Sequence, residues 1–255
     1  MAKNIWTREE HILAFNLYCK IQFAKINATY APVKELAQIL GRSDGSAAMK
    51  LANFARLDPA LQARNISGLT QGAKGEVDVW NEFNGNWEEL AFESERILAK
   101  YKNKPIEKSA NIFSTDLPPE GKERDAVVKT RVNQSFFRSS VLASYNYKCC
   151  ITGIAIPEML IAGHILPWSV SQIHRTNPAN GLCLNALHDK AFEIGYLTIT
   201  PDYQIKISSL LLTQAKNETV NEYFIKYHNR EMILPSRFLP DPEFLKYHNQ
   251  DRFLP

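Results

Sequence analysis

The sequence predicts an α+β protein, with a helical N-terminal part followed by a C-terminal part of short strands and helices. Three observations carry this prediction. Apolar residues recur at helical spacing over residues 4–101. A charged segment with several prolines, residues 102–124, then interrupts the pattern. Residues 147–200 combine strand-forming runs with a helical segment. The predicted domains are therefore 1–101, a linker at 102–124, and 125–255.

The first helix is predicted to begin after Thr7. Thr7 is a suitable N-cap, and Glu10 lies three residues later, which is the spacing of a capping box. A glycine-containing loop is predicted over 60–75 around Gly68. A long helix is predicted over 80–101, and its aromatic residues are expected to lie in the core.

Residues 32–54 resemble a helix-turn-helix. A helix is predicted to begin at Pro32, a turn follows at Gly41, and a third helix covers 46–54. In this arrangement the third helix would read DNA. The expected DNA-facing residues are Arg42, Ser43, Ser46 and Lys50. The alternatives are a helical bundle that only packs on the C-terminal part, or a dimerisation domain.

A further helix is predicted over 126–145, with two stripes along it. The apolar stripe consists of Phe137, Val141 and Tyr145. The polar stripe consists of Arg131, Gln134 and Arg138. Two arginines on one face could hold DNA phosphate, and a solvated helix face is the alternative.

Strand formers flank His164 between Pro157 and Pro167, which predicts a β-hairpin that carries His164. From residue 182 onwards the apolar residues show helical spacing, and Gly195 is a plausible helix end. On such a helix Asp189 and Glu193 are four residues apart, so their carboxylates face the same way. A hairpin carrying a histidine, packed against a helix carrying carboxylates, is a small platform for one metal ion.

This segment resembles the HNH nuclease family, which has a ββα-metal fold. The resemblance rests on an ordered set of motifs over roughly residues 125–205. The motifs are R-x-x-Q-x-x-F-R at 131–138, C-x-x-T-G at 149–153, G-H-I-x-P-W-S at 163–169, N-G-L at 180–182 and H-D-x-x-F-E at 188–193.

The resemblance implies a role for each motif residue. His164 would be the general base that activates water, and its imidazole is suited to that at neutral pH. Asn180 would strap the loop and orient His164. Asp189 and Glu193 hold the positions of helix-borne metal ligands, with His188 as a competing ligand. Oxygen ligands suit Mg²⁺ or Mn²⁺, whereas a histidine ligand would also admit Zn²⁺ or Ni²⁺.

Position 163 departs from the family pattern. Many HNH enzymes carry Asp or His just before the base as a metal ligand, and this chain carries Gly163. The metal would then be held by the helix, the phosphate and water, or by a further ligand that the sequence does not place.

Composition adds few constraints. The net charge of +3 permits a polyanionic partner without requiring one. The four cysteines form no C-x-x-C motif, so no structural zinc is predicted. No apolar run approaches the roughly 18 residues of a membrane span, and no signal sequence is recognisable, so a cytoplasmic protein without a membrane partner is predicted.

Beyond the motifs, a hairpin is predicted over 197–207. The tail repeats one hexapeptide, FIKYHN at 224–229 and FLKYHN at 244–249, and we expect its aromatic residues to pack on the nuclease part.

The predicted function is metal-dependent hydrolysis of double-stranded DNA by a homodimeric restriction or anti-phage endonuclease with sequence-specific recognition. One alternative is a nuclease of modified DNA. The other is a DNA-binding regulator whose HNH-like part has lost catalysis, and Gly163 keeps this alternative open.

Overall fold

The computed structural model describes residues 5–66 and 72–255. The chain divides into two compact units, residues 1–143 and residues 144–255. The helices of the first unit are α1 (Arg8–Lys20), α2 (Ala31–Leu40), α3 (Asp44–Asn53), α4 (Pro59–Gln62), α5 (Lys74–Phe83), α6 (Trp87–Lys102), α7 (Ile106–Ser109) and α8 (Lys122–Ser144). Within the described residues, no helix combines the length and the apolar character that crossing a membrane requires.

The predicted capping box at the start of α1 is confirmed. The Thr7 hydroxyl accepts from the Glu10 amide at 3.3 Å, and the Glu10 carboxylate accepts from the Thr7 amide at 2.7 Å. Because α1 begins here, it places Phe15 in the core of the unit. The Phe15 ring lies 4.9 Å from that of Phe54 and 5.1 Å from that of Trp80. The expectation that the aromatic residues of α5 and α6 fill the core is confirmed for Trp80, Phe83 and Trp87, which are all buried.

Two expectations about the first unit need correction. The helix predicted over 80–101 is two helices, because the chain leaves the helical path at the extended Asn84 and turns at Gly85, which has a φ of +98°. The loop predicted over 60–75 is shorter, since α4 and α5 each take part of it. Gly68 lies outside the described residues.

Helix α8 confirms the helix predicted over 126–145. It packs within the first unit, because Phe136 stacks on Trp87 at 6.4 Å and Lys129 pairs with Glu88 at 3.2 Å. The predicted domain start at 125 therefore lies inside the first unit, and the second unit begins at the end of α8.

The second unit is built on a two-stranded antiparallel sheet, β1 (Leu160–His164) and β2 (Gly181–Asn185), with His164 opposite Gly181. The strand carrying His164 is confirmed, but its partner was expected to be helical. The prediction of a helix was wrong over 181–185. Every residue of β2 is buried, and a short apolar run of this kind fits a buried strand as well as a buried helix.

Helix α9 (Ala186–Glu193) follows β2 directly. The Asn185 side chain caps it by accepting from the His188 amide at 3.0 Å. Gly195, with a φ of +80°, ends it as predicted. The predicted hairpin is confirmed as β3 (Leu197–Ile199) and β4 (Ile205–Ile207).

The rest of the unit consists of α10 (Ser209–Leu212), α11 (Glu218–Tyr223) and α12 (Pro242–Asp251). The two copies of the hexapeptide repeat differ in conformation. The first forms a 3₁₀ turn over Ile225–Tyr227, and the second lies within α12.

Candidate active site

A cleft of about 350 Å³ opens between β1, α9 and the end of α12 in the second unit. Its chemistry-bearing residues are His164, Trp168, Asp189, Glu193, His248 and Arg252. The cleft therefore collects one histidine from a strand, one tryptophan from the loop after it, two carboxylates from one helix, and two residues from the tail.

His164 is the last residue of β1 and is half-buried. Its Nε2 lies 2.8 Å from the carbonyl oxygen of Arg175. A carbonyl oxygen only accepts, so Nε2 carries the hydrogen, and Nδ1 holds the lone pair of the neutral ring. Burial lowers the pKa of His164 below its ordinary value, and the contact with Arg175 opposes that shift. The ring is therefore neutral at pH 7, as a general base requires.

Asn180 is buried and ties the loop of residues 165–180 together. Its side-chain oxygen accepts from the Leu166 amide at 2.7 Å. Its side-chain nitrogen donates to the carbonyl of Leu166 at 3.3 Å and to that of His174 at 3.1 Å. The loop begins directly after His164, so these three bonds fix the path of the chain that follows the imidazole.

Asp189 lies over Gly163. A Cβ atom built on Gly163 would lie 2.4 Å from Oδ1 of Asp189, so the carboxylate fills the volume that a side chain at position 163 would take. The pKa of Asp189 is raised, mainly by burial and also by the charge of Glu193, while Lys190 lowers it. The acidic group that the sequence lacks at position 163 is thus replaced in space by one from α9.

Glu193 lines the same cleft but is exposed, and its carboxylate pairs with Lys190 at 2.9 Å. His188 is not brought to the cleft. Its Nδ1 contacts the Asn185 side chain, and its Nε2 lies 2.6 Å from the Tyr223 carbonyl oxygen. Of the three expected metal ligands, the structure therefore brings Asp189 and Glu193 together with His164, and it gives His188 a packing role.

The comparison with known families agrees with this geometry. A family model described as HNH endonuclease matches residues 149–200. This segment is an HNH domain. The match spans β1, β2, α9 and β3, and the first unit and the tail after residue 200 fall outside it. No curated protein matches the chain. The HNH domain supports nuclease activity in general.

The HNH domain offers an incomplete set of metal ligands. Within the part of the chain that the structure describes, no group of three or more His, Cys, Asp or Glu residues converges as a metal site. Two carboxylates do face the cleft, and Mg²⁺ commonly uses one or two carboxylates together with water and substrate phosphate. Burial and then the charge of Glu193 raise the pKa of Asp189, and a bound cation would oppose both effects. Asp189 and Glu193 therefore fit an oxygen-preferring divalent cation.

The polar stripe of α8 has the expected exposure. Arg131, Gln134 and Arg138 are all exposed, while Phe137 on the apolar stripe is buried. DNA contact by this stripe stays a prediction.

The side chains of two helix-turn-helix residues that were expected to face DNA are buried instead. The turn at Gly41 is present with a φ of +63°, but the Arg42 side chain is only 5% exposed and bonds Glu10 at 2.9 and 2.8 Å. Lys50 is buried against Glu76. The expectation that Arg42 and Lys50 face DNA is corrected, because each neutralises a carboxylate that is itself fully buried.

Ser43 and Ser46 lie at the start of α3. The Ser43 hydroxyl caps the helix by accepting from the Ser46 amide at 3.2 Å. Among the charged residues of α3, the described structure leaves only Asp44 partly open to solvent.

His248 and Arg252 were not predicted as residues of the cleft. The His248 ring stacks on that of Phe192 at 3.7 Å, and its Nε2 lies 3.1 Å from the Phe192 carbonyl oxygen. Burial is the main reason that the pKa of His248 falls to about 4. The repeated hexapeptide predicted that its aromatic residues pack on the nuclease part, and the burial of Phe244 confirms this. The repeat does not predict that His248 packs on α9.

Proposed function

We propose that this chain is a metal-dependent endonuclease that hydrolyses phosphodiester bonds in double-stranded DNA. One observation carries the proposal. A neutral His164, with Nδ1 as its basic nitrogen, shares a cleft with the Asp189 carboxylate, inside the segment that matches the HNH family.

In this proposal His164 accepts the proton of the attacking water at Nδ1, while the Arg175 carbonyl keeps the ring in the required tautomer. Asp189 and Glu193 bind Mg²⁺ or Mn²⁺. When bound, such a cation supplies positive charge to the scissile phosphate and to the leaving 3′ oxygen. Asn180 holds the loop that carries the Arg175 carbonyl.

Nicking of supercoiled plasmid in Mg²⁺ or Mn²⁺ tests this function. We expect His164→Ala to lower the cleavage rate by about 10²–10⁴-fold, which is the usual contribution of a general base. The control is His174→Ala, because this ring lies in the same loop but packs against Phe244 at 4.6 Å. Wild-type cleavage by His164→Ala would remove His164 from the mechanism.

The biological role that we propose is restriction or anti-phage defence. Sequence-specific reading would then belong to the first unit, and the exposed stripe of Arg131, Gln134 and Arg138 supports DNA contact better than Arg42 and Lys50, whose side chains are buried. Cutting both strands at a palindromic site needs two active sites, and each chain offers one cleft. A homodimer is therefore part of the proposal.

Two other functions are separated by the same assay. A catalytically inactive regulator would bind DNA without nicking it in either metal. A nuclease of modified DNA would cut methylated plasmid and spare the unmethylated form. The presence of both His164 and Asp189 in one cleft favours catalysis over regulation.

A further inference from the structure

The cleft carries negative charge, and the segment that matches the HNH family contributes no cationic side chain to it. As long as no cation is bound, its two carboxylates, Asp189 and Glu193, would repel a DNA phosphate. Among the described residues that line the cleft, Arg252 provides the only lysine or arginine side chain. Arg252 follows α12 and lies outside the segment that matches the family.

The backbone around Arg252 is fixed to the HNH domain. The Arg252 and Phe253 amides donate to the His248 carbonyl at 3.1 and 2.9 Å, and the Leu254 amide donates to the Gly195 carbonyl at 2.9 Å. A side chain at position 195 would overlap the Arg252 carbonyl oxygen. Gly195 therefore has two roles, because it ends α9 and admits the end of α12.

One hydrogen bond orients the guanidinium of Arg252 and involves only one of its nitrogen atoms. Its Nη2 donates to the Glu193 carbonyl at the end of α9, at 3.2 Å, and the residue is exposed. A guanidinium has five N–H donors in a planar fork, so most of them remain for an anion in the cleft. Arginine is also the side chain best suited to bidentate binding of phosphate.

We propose that Arg252 binds a backbone phosphate of DNA at the margin of this cleft and so positions the strand against His164. The proposal rests on the proposed nuclease function for the identity of the ligand. A purely structural role, in which Arg252 only caps the negative end of α9, is the competing explanation.

DNA binding by the full chain without divalent metal separates these explanations. Fluorescence anisotropy with a labelled duplex, repeated over a range of NaCl concentrations, gives the slope of log K against log salt. For Arg252→Ala we expect affinity to fall by about 10-fold or more, and the slope to become shallower by about 0.9, which is one phosphate contact.

The matched control is Lys246→Ala. Lys246 is an exposed residue of α12 that pairs with Glu243 and does not line the cleft, so this variant removes the same charge from the helix that Arg252 follows. Its salt slope should stay closer to that of the wild type. Arg252→Gln keeps an N–H donor for the Glu193 carbonyl, and it replaces the alanine variant if that variant does not fold.

Two results would overturn the role of Arg252. One is a lower melting temperature with an unchanged salt slope, which would identify a helix cap. The other is a wild-type chain that binds no DNA. If the wild type binds DNA but does not cut it in Mg²⁺ or Mn²⁺, the nuclease proposal fails, while the slopes still decide whether Arg252 holds a phosphate.

Discussion

Replacing Gly163 with alanine tests whether Asp189 takes over the role of the acidic residue that this chain lacks at position 163. The added Cβ would lie 2.4 Å from Asp189 Oδ1, whereas ordinary contacts of a Cβ begin at 3.4 Å. The carboxylate must therefore retreat by about 1 Å. A misplacement of that size costs about 10²-fold in rate when the group orients the reaction. We expect Gly163→Ala to lower metal-dependent cleavage by that factor.

The same change should leave the fold nearly intact. Gly163 does not have a positive φ, so alanine is compatible with its backbone. The atom that must move is the end of a half-buried side chain beside an open cleft, so the cost in unfolding free energy should stay near the low end of over-packing, about 1 kcal/mol. Plasmid nicking over a range of Mg²⁺ concentrations, with urea unfolding beside it, measures both effects.

A double-mutant cycle makes this test specific. If Gly163→Ala acts only by displacing Asp189, it should have almost no further effect in an Asp189→Ala background. An equal loss in both backgrounds would show that the methyl group disturbs something else. Wild-type cleavage by Gly163→Ala would show that the position of the carboxylate does not matter, and the reasoning would fail.

Three further predictions follow from the described contacts. EDTA should abolish cleavage, and Asp189→Asn should raise the Mg²⁺ concentration required in a metal titration, whereas Glu158→Gln, at an exposed site before β1, should not. Lys50→Ala should cost about 1.5–3 kcal/mol in urea unfolding, because the buried Glu76 loses one charge-assisted bond while it keeps those to Asn53 and Arg56, and the folded variant should keep its DNA affinity in anisotropy. Between pH 6.5 and 4 the unfolded chain binds a proton at His248 that the folded chain does not bind. The free energy of unfolding in urea should therefore fall by up to about 3 kcal/mol as the pH is lowered through that range, and His248→Gln should make this fall smaller.

Local signals in the sequence were sufficient where one short stretch determines the outcome. The capping box of Thr7 and Glu10 depends on two residues three positions apart, and both bonds are formed. The apolar stripe that includes Phe137 is buried as its spacing requires. The hairpin of β3 and β4 also formed as predicted, because its turn residues and strand formers are adjacent in the chain.

Prediction from the sequence failed where the position of a side chain depends on residues that are distant in the sequence. Arg42 and Lys50 read as surface cations, and only the fold shows that Glu10 and Glu76 are buried beside them. Spacing placed Asp189 on the correct helix, but its position over Gly163 depends on how α9 packs on β1. The strand β2 was mistaken for helix because burial on both faces removes the alternation by which strands are recognised.

The tail adds contacts to the candidate site that lie outside the segment matching the family. One face of α9 packs His188 against Phe224 of the first hexapeptide copy, with ring centroids 5.2 Å apart. On the same side of the helix, one turn further on, Phe192 stacks on His248 of the second copy. The two copies thus pack on successive turns of one side of the helix, and Asp189 of the same helix lines the cleft. Since both copies lie after residue 200, contacts that hold α9 come from residues that the family match does not include.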